Sequence, residues 1–230
     1  MNNKLIIVIG AYGSGKSEYS INLAKRIKEN GDDVTLVDLD VVNPYFRSRE
    51  VREMFKNDGI EVIAPEGSYS HADLPMLSPR IMGEVQNESH AVILDVGGDP
   101  AGCRTLARYR ANIKKRGYEM HYVINTKRPA TRDEDGIIEM FNMLQNTSEL
   151  KITDVICNTN LMEYTTKDIV KEGIKLIQKT IETFEDVRFE YYLVLENYKD
   201  KIPDNLEGKK RIVLTYFLNK PWEAPILRGI

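Results

Sequence analysis

The 230-residue chain has only two cysteines, Cys103 and Cys157, with no CxxC pair and no histidine beside either at metal-ligand spacing. One chain therefore cannot assemble a zinc or iron–sulfur site from its thiols. Apolar runs are short, and none approaches the roughly 18–20 residues of a membrane helix. Residues 1–4 pass directly into a short apolar stretch rather than into a secretory leader with a small-residue cleavage site. These absences make a reducing cytoplasm the expected location, with no membrane attachment. Glycine at 15 and proline at 9 are near ordinary usage, which excludes collagenous, low-complexity and disordered classes. Charge of one sign is also missing. The balance of 32 Lys and Arg against 35 Asp and Glu, net −3, argues against a globally basic nucleic-acid binder and leaves room only for a local patch.

What is present is alternation. Short apolar runs over residues 5–9, 34–37, 62–64, 91–94, 120–124, 152–156 and 191–195 read as strands, with 212–217 as an eighth. Amphipathic stretches between them, over 17–29, 45–56, 75–87, 104–116, 134–146 and 167–184, read as helices. The last is the clearest, because Ile169, Ile174, Ile177, Ile181 and Phe184 recur close to the helical period. Glycines 31, 59 and 117 follow three of these helices, where a left-handed C-cap is needed. Strands alternating with helices predict an α/β fold, three-layered α/β/α, with a mostly parallel sheet of seven to eight strands. No repeat, linker or composition shift divides residues 1–230, so one domain is expected, with a core over about 4–195 and a C-terminal strand and tail over 196–230.

The first strand ends in Gly10-Ala11-Tyr12-Gly13-Ser14-Gly15-Lys16-Ser17, which satisfies GxxxxGK[ST] between a strand and a helix. That pattern is a phosphate loop. Its backbone N–H groups curl around an oxyanion, the following helix N-terminus adds partial positive charge, and Glu18 falls in the first helical turn. Lys16 is expected to reach the β- and γ-phosphates, and the Ser17 hydroxyl to ligate Mg²⁺.

Such a loop needs carboxylates from neighbouring strands to organise the metal and the attacking water. Asp95 closes the run Ala91-Val92-Ile93-Leu94 and precedes Val96-Gly97-Gly98, where Gly98 would let a backbone N–H approach the γ-phosphate. Asp38 and Asp40 end the second strand, and strand alternation puts both on one side. The expected division gives Asp40 the water, and Asp38 and Asp95 the metal.

These residues together resemble the SIMIBI class of P-loop proteins and, within it, the CobQ/CobB/MinD/ParA nucleotide-binding group. The likeness is carried by Gly10 to Ser17, Asp38-Leu39-Asp40 and Asp95-Val96-Gly97-Gly98. The resemblance implies ATP with Mg²⁺, Asp95 as the Walker B acid, Asp40 as the water-orienting acid, and dimerisation face to face across the nucleotide. It also implies that asparagines near the ends of later strands read the base, with Asn158 the first candidate and Asn125 the second. One departure stands out. MinD and ParA proteins carry a signature lysine immediately after the first glycine of the loop, where this chain has Ala11. That lysine cannot act in trans here, and Arg47, Arg49, Arg104 and Arg128 are the candidates to replace its charge. Asn43-Pro44-Tyr45-Phe46-Arg47 follows the Asp pair as a switch-like segment.

Residues 104–132 carry nine Lys or Arg against Glu119 alone, a surface suited to a protein partner or an anionic substrate. Arg104, Arg108 and Lys115 are expected to share one helix face. The functional expectation is a slow Mg²⁺-dependent ATPase used as a switch for a partner. The alternative is an ATP-dependent small-molecule ligase or kinase of the CobB or dethiobiotin-synthetase type, with a substrate pocket lined by residues 65–79 including His71 and Asp73. ATP is favoured over GTP because Asn125-Thr126-Lys127-Arg128 lacks the aspartate of an NKxD sequence.

Overall fold

The computed structural model describes residues 3–40, 49–64, 79–182 and 184–217. The first strand, β1 (Leu5–Ile9), shows why a sheet forms: Leu5, Ile7 and Ile9 enter one buried layer while Ile6 and Val8 enter the other. A two-residue side-chain period with both faces apolar belongs to a sheet covered on both sides. Seven further strands share the pattern to varying degree: β2 (Val34–Asp38), β3 (Glu61–Ile63), β4 (Ala91–Asp95), β5 (Glu119–Ile124), β6 (Asp154–Cys157), β7 (Arg188–Leu195) and β9 (Lys209–Leu214). A two-residue strand, β8 (Asn205–Leu206), completes one nine-stranded sheet in the order β3-β2-β4-β1-β5-β6-β7-β9-β8. All neighbours pair in parallel except β8 with β9.

One face of the sheet is covered by α1 (Lys16–Glu29) and α2 (Arg49–Asn57), through Tyr19, Ile21, Ala24, Ile27 and Phe55. The other is covered by α3 (Pro79–Gln86), α4 (Pro100–Ala107), α5 (Arg110–Arg116), α6 (Glu134–Ser148) and α7 (Lys167–Ile181), through residues such as Ile81, Leu106, Ile113, Leu144 and Ile174. Each fully buried aliphatic side chain among these contributes about 1.5–3 kcal/mol relative to exposure. The three-layer α/β/α expectation therefore describes the molecule. β1 lies between β4 and β5, with the chain wound to one side through β2 and β3 and to the other through β6 and β7. The carboxyl end of β1 is thus the crevice where open α/β sheets bind ligands.

Several boundaries differ from expectation, each for a local reason. The helix expected over 104–116 is two helices. Asp99 caps α4 by accepting from the Ala101 and Gly102 N–H groups, so the helix starts four residues early at Pro100. It then breaks at Arg108 and Tyr109, where N–H groups bond three residues back and Tyr109 enters the core. Arg104 and Arg108 therefore do not continue one face into Lys115. The eighth strand, expected over 212–217, runs over Lys209–Leu214 instead, and the short β8 is added before it because Glu207 and Gly208, both at positive φ, turn one back onto the other. β6 starts at Asp154 rather than 152, since Ile152 gives its N–H to the Gln145 side chain before the ladder begins. The expected helix starts at 45 and 75 lie outside the described residues, as do 43–47, His71, Asp73, the Arg49 side chain and the 221–230 tail.

Candidate functional site

The phosphate loop leaves β1 at Ile9 and enters α1 at Lys16. Gly15 is the N-cap, in the left-handed region at φ 87°, and no side chain caps the helix. α4, α6 and α7 are capped by Asp99, Asp133 and Thr166. The first turn of α1 therefore presents backbone N–H groups to a ligand rather than to its own cap. A β-carbon on Gly15 would collide with the Asn158 amide, and one on Gly98 with the Gly10 carbonyl oxygen, so both positions admit only glycine. Gly98 thereby brings the segment after β4 against the floor of the loop.

Around this loop the ends of β2 and β4 supply charge. Asp38 and Asp95 are register partners, and the Leu39 N–H donates to the Asp95 carbonyl at 2.8 Å. Asp38 accepts the Asp40 N–H at 2.9 Å, so one oxygen of this expected metal ligand shapes the loop that aims Asp40. Asp40 Oδ2 lies 3.6 Å from Lys16 Nζ, with both side chains almost fully buried. Asp95 accepts from the Ser20 hydroxyl at 3.3 Å, while its Oδ2 has no hydrogen-bond partner among the described residues. Burial pushes the Asp95 carboxyl up to about 6, against the opposing pull of the Lys16 ammonium and the Ser17 and Ser20 hydroxyls. Ser14 Oγ is a second buried polar atom without a partner among the described residues.

Among the described residues, Ser14 Oγ in the glycine loop and Asp95 Oδ2 at the end of β4 are buried without a hydrogen-bond partner, which fits a phosphate and its hydrated cation. No group of three acidic, histidine or cysteine side chains forms a ready metal cage among the described residues. Mg²⁺ keeps several waters and shares ligation with phosphate oxygens, so it needs few protein ligands. Of the expected metal residues, Ser17 and Asp38 both stand beside Asp95, and these three could hold such a cation.

The rest of the expected nucleotide contacts divide. Ala11 is buried and gives its carbonyl to the Ser14 N–H, so its methyl occupies space a lysine could not enter unchanged. Tyr12 stands 70% exposed on the rim. Glu18, expected at the nucleotide, turns its carboxylate to the Phe217 N–H at 2.5 Å, and Asn22 one turn on both donates to and accepts from the Thr215 backbone. The helix that carries the loop is therefore tied to the chain after β9. Asn158, the first base-reading candidate, donates Nδ2 to the Ser14 carbonyl at 2.7 Å and accepts from Asn160. It clamps the loop. Asn125 is 1% exposed; it donates to the Asn160 carbonyl and accepts from the Lys127 and Asn160 N–H groups, which builds the turn after β5. That turn sets Arg128, whose Nε donates to the Gly13 carbonyl at 3.1 Å. Arg128 thus brings positive charge to the loop in cis, and the Asn158 and Arg128 contacts were not legible from spacing.

The basic run is largely spent within the fold. Arg116 donates to the carbonyls of Asn3, Glu84, Val85 and His90, while Arg110, Lys127 and Arg132 pair with Glu149, Glu172 and Asp133. Arg104, Arg108, Lys114 and Lys115 carry no ion pair among the described residues.

A phosphate loop at the carboxyl end of β1, with acids from two neighbouring strands around its lysine, defines a P-loop nucleotide-binding protein of the SIMIBI class. The family model for the CobQ/CobB/MinD/ParA nucleotide binding domain matches residues 5–191, and the chain belongs to that family. No curated protein matches it. Among solved structures, the cell division protein FtsY of Thermotoga maritima is 20% identical with a TM-score of 0.53, covering 83% of this chain and 61% of its own. Chloroplast FtsY of Physcomitrella patens is 16% identical with a TM-score of 0.53, over 84% and 58%. The Signal Recognition Particle 54 kDa protein of Aeropyrum pernix, solved with GDP, is 17% identical with a TM-score of 0.51, over 82% and 42%. At these identities the likeness shows a shared fold. The chain spans about three fifths of the length of the FtsY proteins it matches. No helix among the described residues is long and apolar enough to cross a membrane.

Proposed function

We propose that the protein is a Mg²⁺-dependent ATP-binding protein and slow ATPase, built as a single nucleotide-binding domain of the cytoplasm, whose nucleotide state is read by a partner. The observation that carries this reading is the buried Lys16–Asp40 pair beside Asp95 and the uncapped α1 N-terminus. The loop N–H groups and Lys16 bind the phosphates, and Asp40 orients water toward the γ-phosphorus. Mg²⁺, held at Ser17, Asp38 and Asp95, neutralises phosphate charge when bound. ATP rather than GTP is supported by Asn125-Thr126-Lys127-Arg128, which has Arg128 where an NKxD sequence carries the aspartate that reads a guanine amino group. Arg104, Arg108, Lys114 and Lys115 are the basic side chains left for a protein partner or anionic substrate, and a homodimer would have to form without a lysine at position 11.

The test is steady-state phosphate release from ATP and GTP with Mg²⁺ at several protein concentrations, beside size-exclusion runs in ATP and ADP. Low turnover with ATP, lost in Lys16→Ala together with nucleotide binding, is the expected result. Retained affinity in Lys16→Ala would overturn the site assignment, and release stimulated by a small carboxylate or hydroxyl compound would favour a ligase or kinase.

A further inference from the structure

We propose that residues 215–217, where the chain leaves β9, form a strap that reports the filling of the phosphate loop: an anion that orders the first turn of α1 tightens the strap, and loosening the strap weakens the anion's hold by the same factor. The proposal rests on the reading of Gly10 to Ser17 as a nucleotide site. Its basis is a row of contacts along one face of α1. β9 ends at Leu214, so the backbone groups that follow need partners outside the sheet. Glu18, Asn22 and Lys25, spaced i, i+4 and i+7 on the helix, all engage that segment. Glu18 accepts the Phe217 N–H at 2.5 Å. Asn22 takes both backbone groups of Thr215, its Oδ1 accepting the N–H at 2.8 Å and its Nδ2 donating to the carbonyl at 2.9 Å. The Lys25 ammonium stands 4.6 Å from the centroid of the Phe217 ring.

The strap and the phosphate loop share one turn of helix. Glu18 follows Ser17 directly, inside the first turn of α1, and Asn22 Nδ2 also donates to the Glu18 carbonyl at 2.8 Å. One amide thus holds a first-turn carbonyl and a strap carbonyl together. Arg128 and Asn158 brace the loop upstream of this turn, at Gly13 and Ser14, while Gly15 brings no side chain to cap it. Anion oxygens that accept from the first-turn N–H groups therefore fix Glu18 in place. A fixed Glu18 holds its carboxylate on the Phe217 N–H and its carbonyl on the Asn22 amide, and the strap closes on α1. Filling of the loop is converted into order beyond β9, where a partner can read it without touching the nucleotide.

The test uses the full chain and inorganic tripolyphosphate with Mg²⁺, and reads amide hydrogen exchange residue by residue. Adding tripolyphosphate is expected to slow exchange about fivefold or more at Thr215 and Phe217. Arg211, on β9 and bonded to the Asp204 carbonyl, is expected to keep its rate. Phe217→Pro removes the N–H from the strap and leaves every α1 side chain in place; it is expected to bind tripolyphosphate about fivefold or more weakly and to lose the slowing at Thr215. Slowing at residues 15–18 without slowing at Thr215 and Phe217, slowing shared equally by Arg211, or parental affinity in Phe217→Pro overturns the strap and leaves the site reading intact. No slowing at residues 15–18 together with no measurable binding overturns the site reading itself. Should Phe217→Pro fold poorly, Asn22→Ala decides: tripolyphosphate affinity equal to the parent's refutes the coupling.

Discussion

Replacing Asn158 separates a structural clamp from a base reader. Its Nδ2 sits 2.7 Å from the Ser14 carbonyl oxygen, and the two residues are 7% and 1% exposed. Asn158→Ala removes the donor and leaves a buried carbonyl unsatisfied, at a cost of about 1–3 kcal/mol. If that cost falls wholly on the ordered loop, polyphosphate affinity drops roughly 5- to 150-fold, since each 1.4 kcal/mol is tenfold. The loss is expected to be equal for ATP, GTP and tripolyphosphate by calorimetric titration, because the clamp acts on the phosphate loop and not on the base. Asn158→Asp is expected to be worse than alanine, since it sets a carboxylate oxygen against the carbonyl. Tripolyphosphate affinity unchanged in Asn158→Ala, with the loss confined to ATP, would refute the clamp and favour Asn158 as the base reader.

Gly98→Ala forces a β-carbon into the Gly10 carbonyl, backbone against backbone, and is expected to cost about 1–3 kcal/mol and most of the nucleotide affinity; Gly83→Ala, in α3 with open space around it, is the control expected to gain about 0.5–1 kcal/mol in urea unfolding. The His121 ring and the Lys4 ammonium hold the Glu119 carboxyl down to about 2. A lowered carboxyl stabilises the fold above its unfolded value near 4.5 and loses that contribution as pH falls toward 2, so the urea midpoints of the parent and Glu119→Gln should differ at pH 6 and converge by pH 2. Asn22→Ala removes both bonds to the Thr215 backbone, and the Thr215 amide should then exchange hydrogen faster while β1 amides do not change.

The parts of this molecule that a reader of the sequence can see are those written in short windows. The loop from Gly10 to Ser17 is contiguous, and the acids that serve it end apolar runs, so strand period alone puts Asp38, Asp40 and Asp95 at one edge of the sheet. What period cannot show is which groups are already spoken for. Asn158 and Ser14 are 144 residues apart, and Arg128 and Gly13 are 115 apart. Nothing local marks those pairs, and an asparagine at a strand end looks the same whether it faces a base or a backbone carbonyl. The same blindness inflates the basic run. Counting charges over residues 104–132 suggests one cationic surface, yet Arg116 is a staple across four carbonyls and three more cations have acidic partners.

The break between α4 and α5 has the same origin, because Tyr109 leaves the helical path for core contacts that exist only after the sheet has formed. Propensity is a weak prior that packing overrides. The site follows a consistent rule: the contiguous loop supplies the donors for phosphate, and distant strand ends supply the groups that hold the loop open. Asn158 and Arg128 take the outward carbonyls of Ser14 and Gly13, while Gly98 supports Gly10 from below. A loop braced at Gly10, Gly13 and Ser14 need not be ordered by its ligand, so less of the binding energy is lost to ordering. That bracing is a physical reason for a phosphate loop to work with alanine at position 11, its positive charge coming from Lys16 within the loop and Arg128 beside it.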